Sequence, residues 1–297
     1  MWRLGSAPEQ SLRASAPRSL DALIPRAFAG DAAAVPFAAR PTRDPGPTPA
    51  VQRMKAHPVT KGHLVVAGAT GGIGSAVVGA ALAAGYRVIA IARDEDELRA
   101  LAREHAPEGA IAPLRGSFES EAQAAVLGDE IRALRARIDG VVVAISEPLA
   151  SGRLLDRTAE SIAATLQHNV VTHFIAAKHL LPLLASRTRT TSYIVLGCAT
   201  ADFAWAGYGH VSMSSAARKM LVQALREECK DQPVRIQLVQ IEGRVCTPKN
   251  LRSACRGWPK ADAVAREIVA LLQGDDASGV VHLRAGSAQS TTLGEKS

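Results

Sequence analysis

Between His63 and Leu283 short apolar runs alternate with longer segments of helical periodicity. The runs are His63–Ala67, Arg87–Ala92, Ala110–Leu114, Gly140–Ile145, Ser192–Leu196, Val234–Ile241 and Gly279–Leu283. Most are continuous Val, Ile, Leu and Ala, the pattern of strands covered on both faces. Between them apolar residues recur at helical spacing over Ser75–Ala84, Glu95–His105, Ser120–Arg137, Ser161–Ala185, Ser212–Glu228 and Ala261–Leu272. Seven strands alternating with helices predict an α/β fold, a single doubly wound parallel sheet with helices on both faces. Strand twist makes its crossovers right-handed.

Residues 1–60 break this pattern. They hold nine of the 16 prolines, including Pro41, Pro45, Pro47 and Pro49, a density that no regular element survives. The organisation predicted is a disordered or flexible extension over 1–60, a folded domain over 61–290 and a flexible tail over 291–297. The extension lacks the apolar stretch of a secretory signal but is Arg-rich and acid-poor. It reads either as a flexible tail on a cytoplasmic protein or as an organellar transit segment.

Composition narrows the partners. The chain has 297 residues, 47% hydrophobic and only 4% aromatic, so Ala, Val and Leu do most of the packing. The net charge is +7, yet residues 1–60 carry eight Lys/Arg against four Asp/Glu and the remainder 27 against 24. A body of about +3 without a basic stripe argues against a nucleic-acid partner. No apolar run has the length of a membrane span. Cys198, Cys229, Cys246 and Cys255 form no C-x-x-C pair, and no histidine pair sits at ligand spacing near them. That usage fits a reducing compartment and predicts no metal site. His168, His173 and His179, on one helical segment, have no ligand-like spacing to acids.

The most informative chemistry is at Leu64–Gly74. An apolar strand runs into Gly68-Ala69-Thr70-Gly71-Gly72-Ile73-Gly74 and then into an alanine-rich helix. In this Rossmann-type arrangement Gly68 permits the tight turn, Gly72 lets backbone approach a pyrophosphate and Gly74 lets helix and strand pack closely. The helix start then directs N–H groups and its positive end at the anion. The second strand ends in Ala92-Arg93, where an acid would bind the adenosine ribose of NAD. A neutral residue followed by a guanidinium favours a 2′-phosphate instead, and hence NADP(H). The plainer reading makes Arg93 a solvated residue paired with Asp94 or Glu95.

Five segments in order resemble the short-chain dehydrogenase/reductase family, over roughly 63–286. Ala67–Gly74 is similar to the family's T-G-x-x-x-G-I-G turn, and Asp139-Gly140-Val141-Val142 to the strand before its N-N-A-G turn. Gln167-His168-Asn169-Val170 resembles the helix with the family's asparagine. Ala216-Ala217 and Leu225-Arg226-Glu227-Glu228 resemble the helix after its Y-x-x-x-K motif, and Gly243–Pro248 its P-G-x-V-x-T-P segment. The resemblance implies cofactor contacts at Gly68, Thr70, Gly71, Gly72, Ile73, Gly74, Arg93, Ala144, Gly243, Val245 and Thr247. It also implies a homodimer or homotetramer, paired through the helical segments at 161–185 and 212–228.

The catalytic half departs from the family. Its alignment puts the tyrosine at Val211, the lysine at Ser215 and the serine near Cys198. The asparagine remains, as Asn169. The N-N-A-G turn reads Val143-Ala144-Ile145-Ser146, and Leu114-Arg115-Gly116-Ser117 lacks the acid found after the third strand. Valine cannot donate a proton, and a positioned general acid contributes about 10²–10⁴-fold. Tyr208, His210 and Cys198 are the candidate substitutes, with loop decoration or core filling as their plainer roles. Lys219 is expected to be solvated on another helix face. Phe203, Trp205 and Trp258 are candidates for an apolar substrate pocket. Two functions stay open: an NADP(H)-dependent oxidoreductase acting on a small-molecule carbonyl or activated C=C with an atypical proton donor, or an inactive NADPH-binding sensor or scaffold.

Overall fold

The computed structural model describes residues 61–105, 110–147, 150–184 and 189–284. The expectations for residues 1–60 and 291–297 lie outside them. Seven strands, β1 (His63–Ala67), β2 (Arg87–Ala92), β3 (Ile111–Arg115), β4 (Ile138–Val143), β5 (Thr191–Cys198), β6 (Val234–Ile241) and β7 (Val280–Leu283), form one sheet in the order β3-β2-β1-β4-β5-β6-β7. Every pairing is parallel. The order reverses between β1 and β4, so the crevice at their C-terminal ends is where such sheets take their ligands.

The pleat of β1 explains the layering. Leu64 and Val66 join the cluster that packs with α1 (Gly72–Ala83) and α7 (Ala261–Gln273), through Val77, Val78 and Ile268. Val65 and Ala67 join the opposite cluster, with Leu127 of α3 (Glu121–Ala133) and Ile175 of α5 (Thr172–Leu180). Alternate residues thus face opposite layers, as a period of two requires. Burying one such Leu or Val contributes about 1.5–3 kcal/mol. The remaining helices are α2 (Glu95–His105), α4 (Ala159–Leu166) and α6 (Gly209–Glu228). Among the described residues no helix is long and apolar enough to cross a membrane.

The helix predicted over Ser161–Ala185 is not continuous. It divides into α4, a π-helical turn at Gln167–Val171, α5 and a 3-10 turn at Leu181–Leu184. The Thr172 hydroxyl donates to the Gln167 carbonyl at 3.0 Å, five residues back, across the widened turn. Pro182 has no N–H to continue α5. The helix predicted to reach Arg137 stops at Ala133, because Arg135 adopts a left-handed φ of 47°. At the other end α1 starts at Gly72, three residues earlier than its apolar pattern.

Candidate active site

The glycine turn is built by close approach. Gly68 has a φ of +81°, and a Cβ there would sit 2.6 Å from the Ala144 carbonyl oxygen. A Cβ on Gly74 would overlap the Gly68 carbonyl oxygen. The Gly68 and Ala69 N–H groups donate to the Ile91 carbonyl at 2.9 and 3.0 Å, tying the turn to the end of β2. Ala144 is held by its N–H on the Ala67 carbonyl at 2.8 Å. Helix α1 then opens at Gly72 with no side-chain cap and no acid in its first turn. A bare helix start above a glycine turn suits the oxygens of a pyrophosphate, so these residues fit a dinucleotide.

The segment after β6 lies across this turn. Thr247 sits over Gly72, at 2.7 Å from the Cβ position of that residue. The Thr247 N–H donates to Asn250 Oδ1 at 2.8 Å, and Asn250 Nδ2 donates to the Val245 carbonyl at 2.9 Å. Gly243 enters the segment with a φ of +87°. Lys249 pairs with Glu97 of α2 at 2.8 Å. Hydrogen bonds from Lys249 and then from Thr70 hold the Glu97 carboxyl below its ordinary value. Ile73 packs against the core beneath. At the end of β2, Arg93 is 73% exposed and pairs at 2.8 Å with Glu119, not with Asp94 or Glu95.

The other half gathers around the start of α6. Val211 and Ser215 are both buried there. Asn169 lies in the π-helical turn, and its Nδ2 donates to Ser214 Oγ at 3.4 Å. Ser214 in turn donates to the Val211 carbonyl at 3.1 Å. Cys198 ends β5, with its sulfur 3.2 Å from Thr200 Oγ1, which is also 3.4 Å from Ser215 Oγ. A hydroxyl has one proton, so when Thr200 donates to the sulfur it accepts from Ser215. Thiol, hydroxyl and hydroxyl therefore form a continuous chain. Tyr208 precedes α6 and stacks on Trp205, ring centroids 4.1 Å apart. His210 is buried, with Nδ1 lacking a partner. Burial, then the Arg157 charge, lowers its pKa from the ordinary imidazole value.

The family model for short chain dehydrogenase matches residues 62–250. The chain belongs to that family. A short-chain dehydrogenase from Streptomyces avermitilis is 19% identical, over 77% of this chain and 89% of that one, with a TM-score of 0.67. A short chain oxidoreductase from Pseudomonas aeruginosa PAO1, described as containing an atypical catalytic center, is 21% identical in its NADPH-bound structure. That match covers 77% of this chain and 98% of the other, with a TM-score of 0.67. A short-chain type dehydrogenase/reductase from Mycobacterium ulcerans is 22% identical over 75% and 88% of the two chains, with a TM-score of 0.67. At these identities the likeness is one of fold. No curated protein matches the chain.

Two buried groups, on α6 and α5, escape a reading of the sequence. Arg218 of α6 is 6% exposed, its Nε has no hydrogen-bond partner, and its charge interacts with Cys198. Burial draws Arg218 down to about 10, while Cys198 acts to raise it. His173 of α5 is buried with neither ring nitrogen partnered. Burial first, and then the Arg218 charge, hold it well below the ordinary imidazole value. A signal for Arg218 exists in its spacing: Ser214, Arg218 and Val222 recur every four residues, along the buried stripe of α6.

Other residues differ from their expected settings. Lys219 is not simply solvated: it pairs with Asp202, which also accepts from Gln240 at 2.9 Å. His168 and His179 do meet acids, brought from other elements: Glu147 at 3.1 Å and Glu121 at 2.8 Å. Phe203 is exposed, whereas Trp258 lies under the Arg244 guanidinium, 5.4 Å from the ring centroid.

Proposed function

We propose that the chain is an NADP(H)-dependent oxidoreductase that reduces a carbonyl or an activated C=C bond of a small molecule, with Cys198 as proton donor. The observation that carries this reading is the uncapped start of α1 above the Gly68–Gly74 turn, at the strand-order reversal between β1 and β4. Arg93 favours the phosphorylated cofactor. Its present ion pair with Glu119 is exposed, and exposed pairs contribute only about 0–1 kcal/mol, so exchange for a phosphate costs little.

When bound, NADP(H) supplies the hydride. The protein's own residues handle the proton. Cys198 gives its proton to the substrate oxygen or carbon, the S–H bond breaking as the new bond forms, and solvent restores it. Thr200 orients the sulfur through its 3.2 Å contact. Asn169, fixed on Ser214, holds the π-helical turn against α6. His210 is a weaker choice, since its lowered pKa leaves the imidazole neutral at neutral pH. Tyr208 has its ring engaged with Trp205. Reduction of an activated C=C asks least of the donor, because the negative charge is delocalised as an enolate.

A second reading, an inactive NADPH-binding sensor or scaffold, draws support from Val211 and Ser215, neither of which replaces a tyrosine–lysine pair. NADPH oxidation against a panel of ketones, quinones and enones separates the two. Turnover of a panel member, lost in Cys198→Ala, supports the oxidoreductase; saturable NADPH binding with no turnover across the panel supports the sensor. We also propose a two-fold assembly through α5 and α6, whose Phe174, Met213 and Met220 are exposed.

A further inference from the structure

The N-terminal end of the sheet gathers charge that the glycine turn does not use. Lys61 precedes β1, Asp139 lies at the start of β4, Arg189 precedes β5 and Arg235 lies at the start of β6. With Tyr86, before β2, and Asp275, after α7, they line a cavity of about 560 Å³. That volume falls within the roughly 300–1,000 Å³ of small-molecule sites. Leu272 is the only aliphatic residue lining it, so its walls suit a polar ligand. The length of β1, about 17 Å, separates this end from the glycine turn.

The cations here outnumber their partners. The Lys61 ammonium lies over the Tyr86 ring, 4.9 Å from its centroid, and among the described residues no carboxylate pairs with it. Arg235 has no carboxylate partner among them either. Its terminal nitrogens donate to the Ser192 hydroxyl at 2.9 Å, to the Leu272 carbonyl at 3.2 Å and to the Gly274 carbonyl. Its Nε is an orphaned buried donor. By covering the carbonyls that end α7, it offsets the negative end of that helix. Asp139, with its side chain 4% exposed, accepts from the Gly62 N–H at 2.7 Å and pairs with Arg137 at 3.1 Å. Its charge is already met, so Arg189, at 3.4 Å and half exposed, can turn to a ligand at little cost. Lys61, Arg189 and Arg235 then face one uncommitted carboxylate, Asp275. Such an excess of cations calls for an anion, and phosphate oxygens accept strongly from ammonium and guanidinium groups. The rest of the wall, Thr190, Gln273 and Asp275, offers hydrogen-bond partners for hydroxyl groups.

We propose that this cavity is a second ligand site, which binds a phosphorylated polyol of about the size of a pentose phosphate. Lys61 and Arg189 hold the phosphate, with the Arg235 charge behind them, and Asp275 accepts from a hydroxyl. The proposal is independent of NADP(H) at the other end of the sheet.

Calorimetric titration of the full chain with ribose 5-phosphate, at constant ionic strength, tests it. Ribose and inorganic phosphate are the controls. Saturable binding of ribose 5-phosphate is expected, at least about tenfold tighter than that of inorganic phosphate, with no binding of ribose. Lys61→Ala should weaken it by about tenfold or more, and Lys61→Ala with Arg189→Ala should abolish it. The corresponding Gln variants make the same comparison if circular dichroism shows the Ala variants unfolded. No saturable binding to the parent chain, or equal binding to the parent and the double variant, overturns the proposal. Inorganic phosphate binding as tightly as the sugar phosphate overturns the polyol assignment. Saturating NADPH should leave the titration unchanged; displacement would put the phosphate at the glycine turn and overturn the second site.

Discussion

Thr200 Oγ1 lies 3.2 Å from Cys198 Sγ, at the point where β5 leaves the sheet. The pair sits on the first turn after the strand, so the sheet fixes one partner and a 3-10 turn at Ala199–Ala201 the other. Ser215 then ties both to α6 at 3.4 Å from Thr200. The sulfur accepts from the Thr200 hydroxyl, and this contact fixes its position beside the start of α6.

Thr200→Val keeps the shape of the side chain and removes the hydroxyl. The loss of one hydrogen bond is about 1 kcal/mol, so kcat of the reduction should fall roughly fivefold with little change in Tm. Steady-state kinetics beside a thermal melt separate this from general destabilisation.

Gly74→Ala places a methyl group on the Gly68 carbonyl oxygen, and turn and helix must move apart. Overpacking of this kind costs about 1–3 kcal/mol. Tm should fall by several degrees, and NADPH affinity should drop further than the stability change alone accounts for. Isothermal titration of the folded variant measures it.

Arg93→Asp sets a negative charge where the 2′-phosphate would lie. A charge-assisted hydrogen bond contributes about 1.5–3 kcal/mol, so the NADPH/NADH preference should fall by about ten- to a hundredfold. Fluorescence titration with both cofactors reads the ratio. An unchanged preference assigns Arg93 to its Glu119 pair alone.

His173 gives the fold a pH dependence of known sign. Its folded pKa is lowered by burial and by Arg218, while in the unfolded chain it titrates near its ordinary value. Its neutral form therefore contributes full stability above about pH 6.5, and that stability is lost as pH falls below this value. The loss approaches about 1.4 kcal/mol per pH unit for one proton. His173→Leu should lose less stability than the parent between neutral pH and the acid limb, in urea melts followed by circular dichroism.

Phe174→Glu and Met220→Glu place charges on the exposed faces of α5 and α6. If these faces pair between copies, either change should convert a dimer or tetramer to monomer in size-exclusion chromatography with light scattering. A monomeric parent chain rejects the assembly.

What the sequence disclosed follows the strength of each local signal. The strands were legible because a parallel strand covered on both faces is a near-continuous apolar run, as in β1, whose Leu64–Ala67 are wholly buried. The glycine turn was legible because its φ of +81° at Gly68 demands a residue without a side chain. The break between α4 and α5 was hidden, since a π-helical turn adds one residue to a periodic pattern without a Gly or Pro to mark it. The setting of Arg218 and His173 was hidden for another reason. They come from two elements, and only the tertiary packing of α5 and α6 buries them. Arg93 was found as a cation, but its Glu119 partner lies 26 residues away in the chain.

The central claim is that the Gly68–Gly74 turn and the start of α1 hold NADP(H), and a fluorescence titration of NADPH with the full chain tests it most directly. Saturable enhancement with micromolar affinity, weaker by about tenfold or more for NADH and weakened in Gly74→Ala, is the predicted result. Absence of saturable binding by either dinucleotide to the folded chain would contradict it.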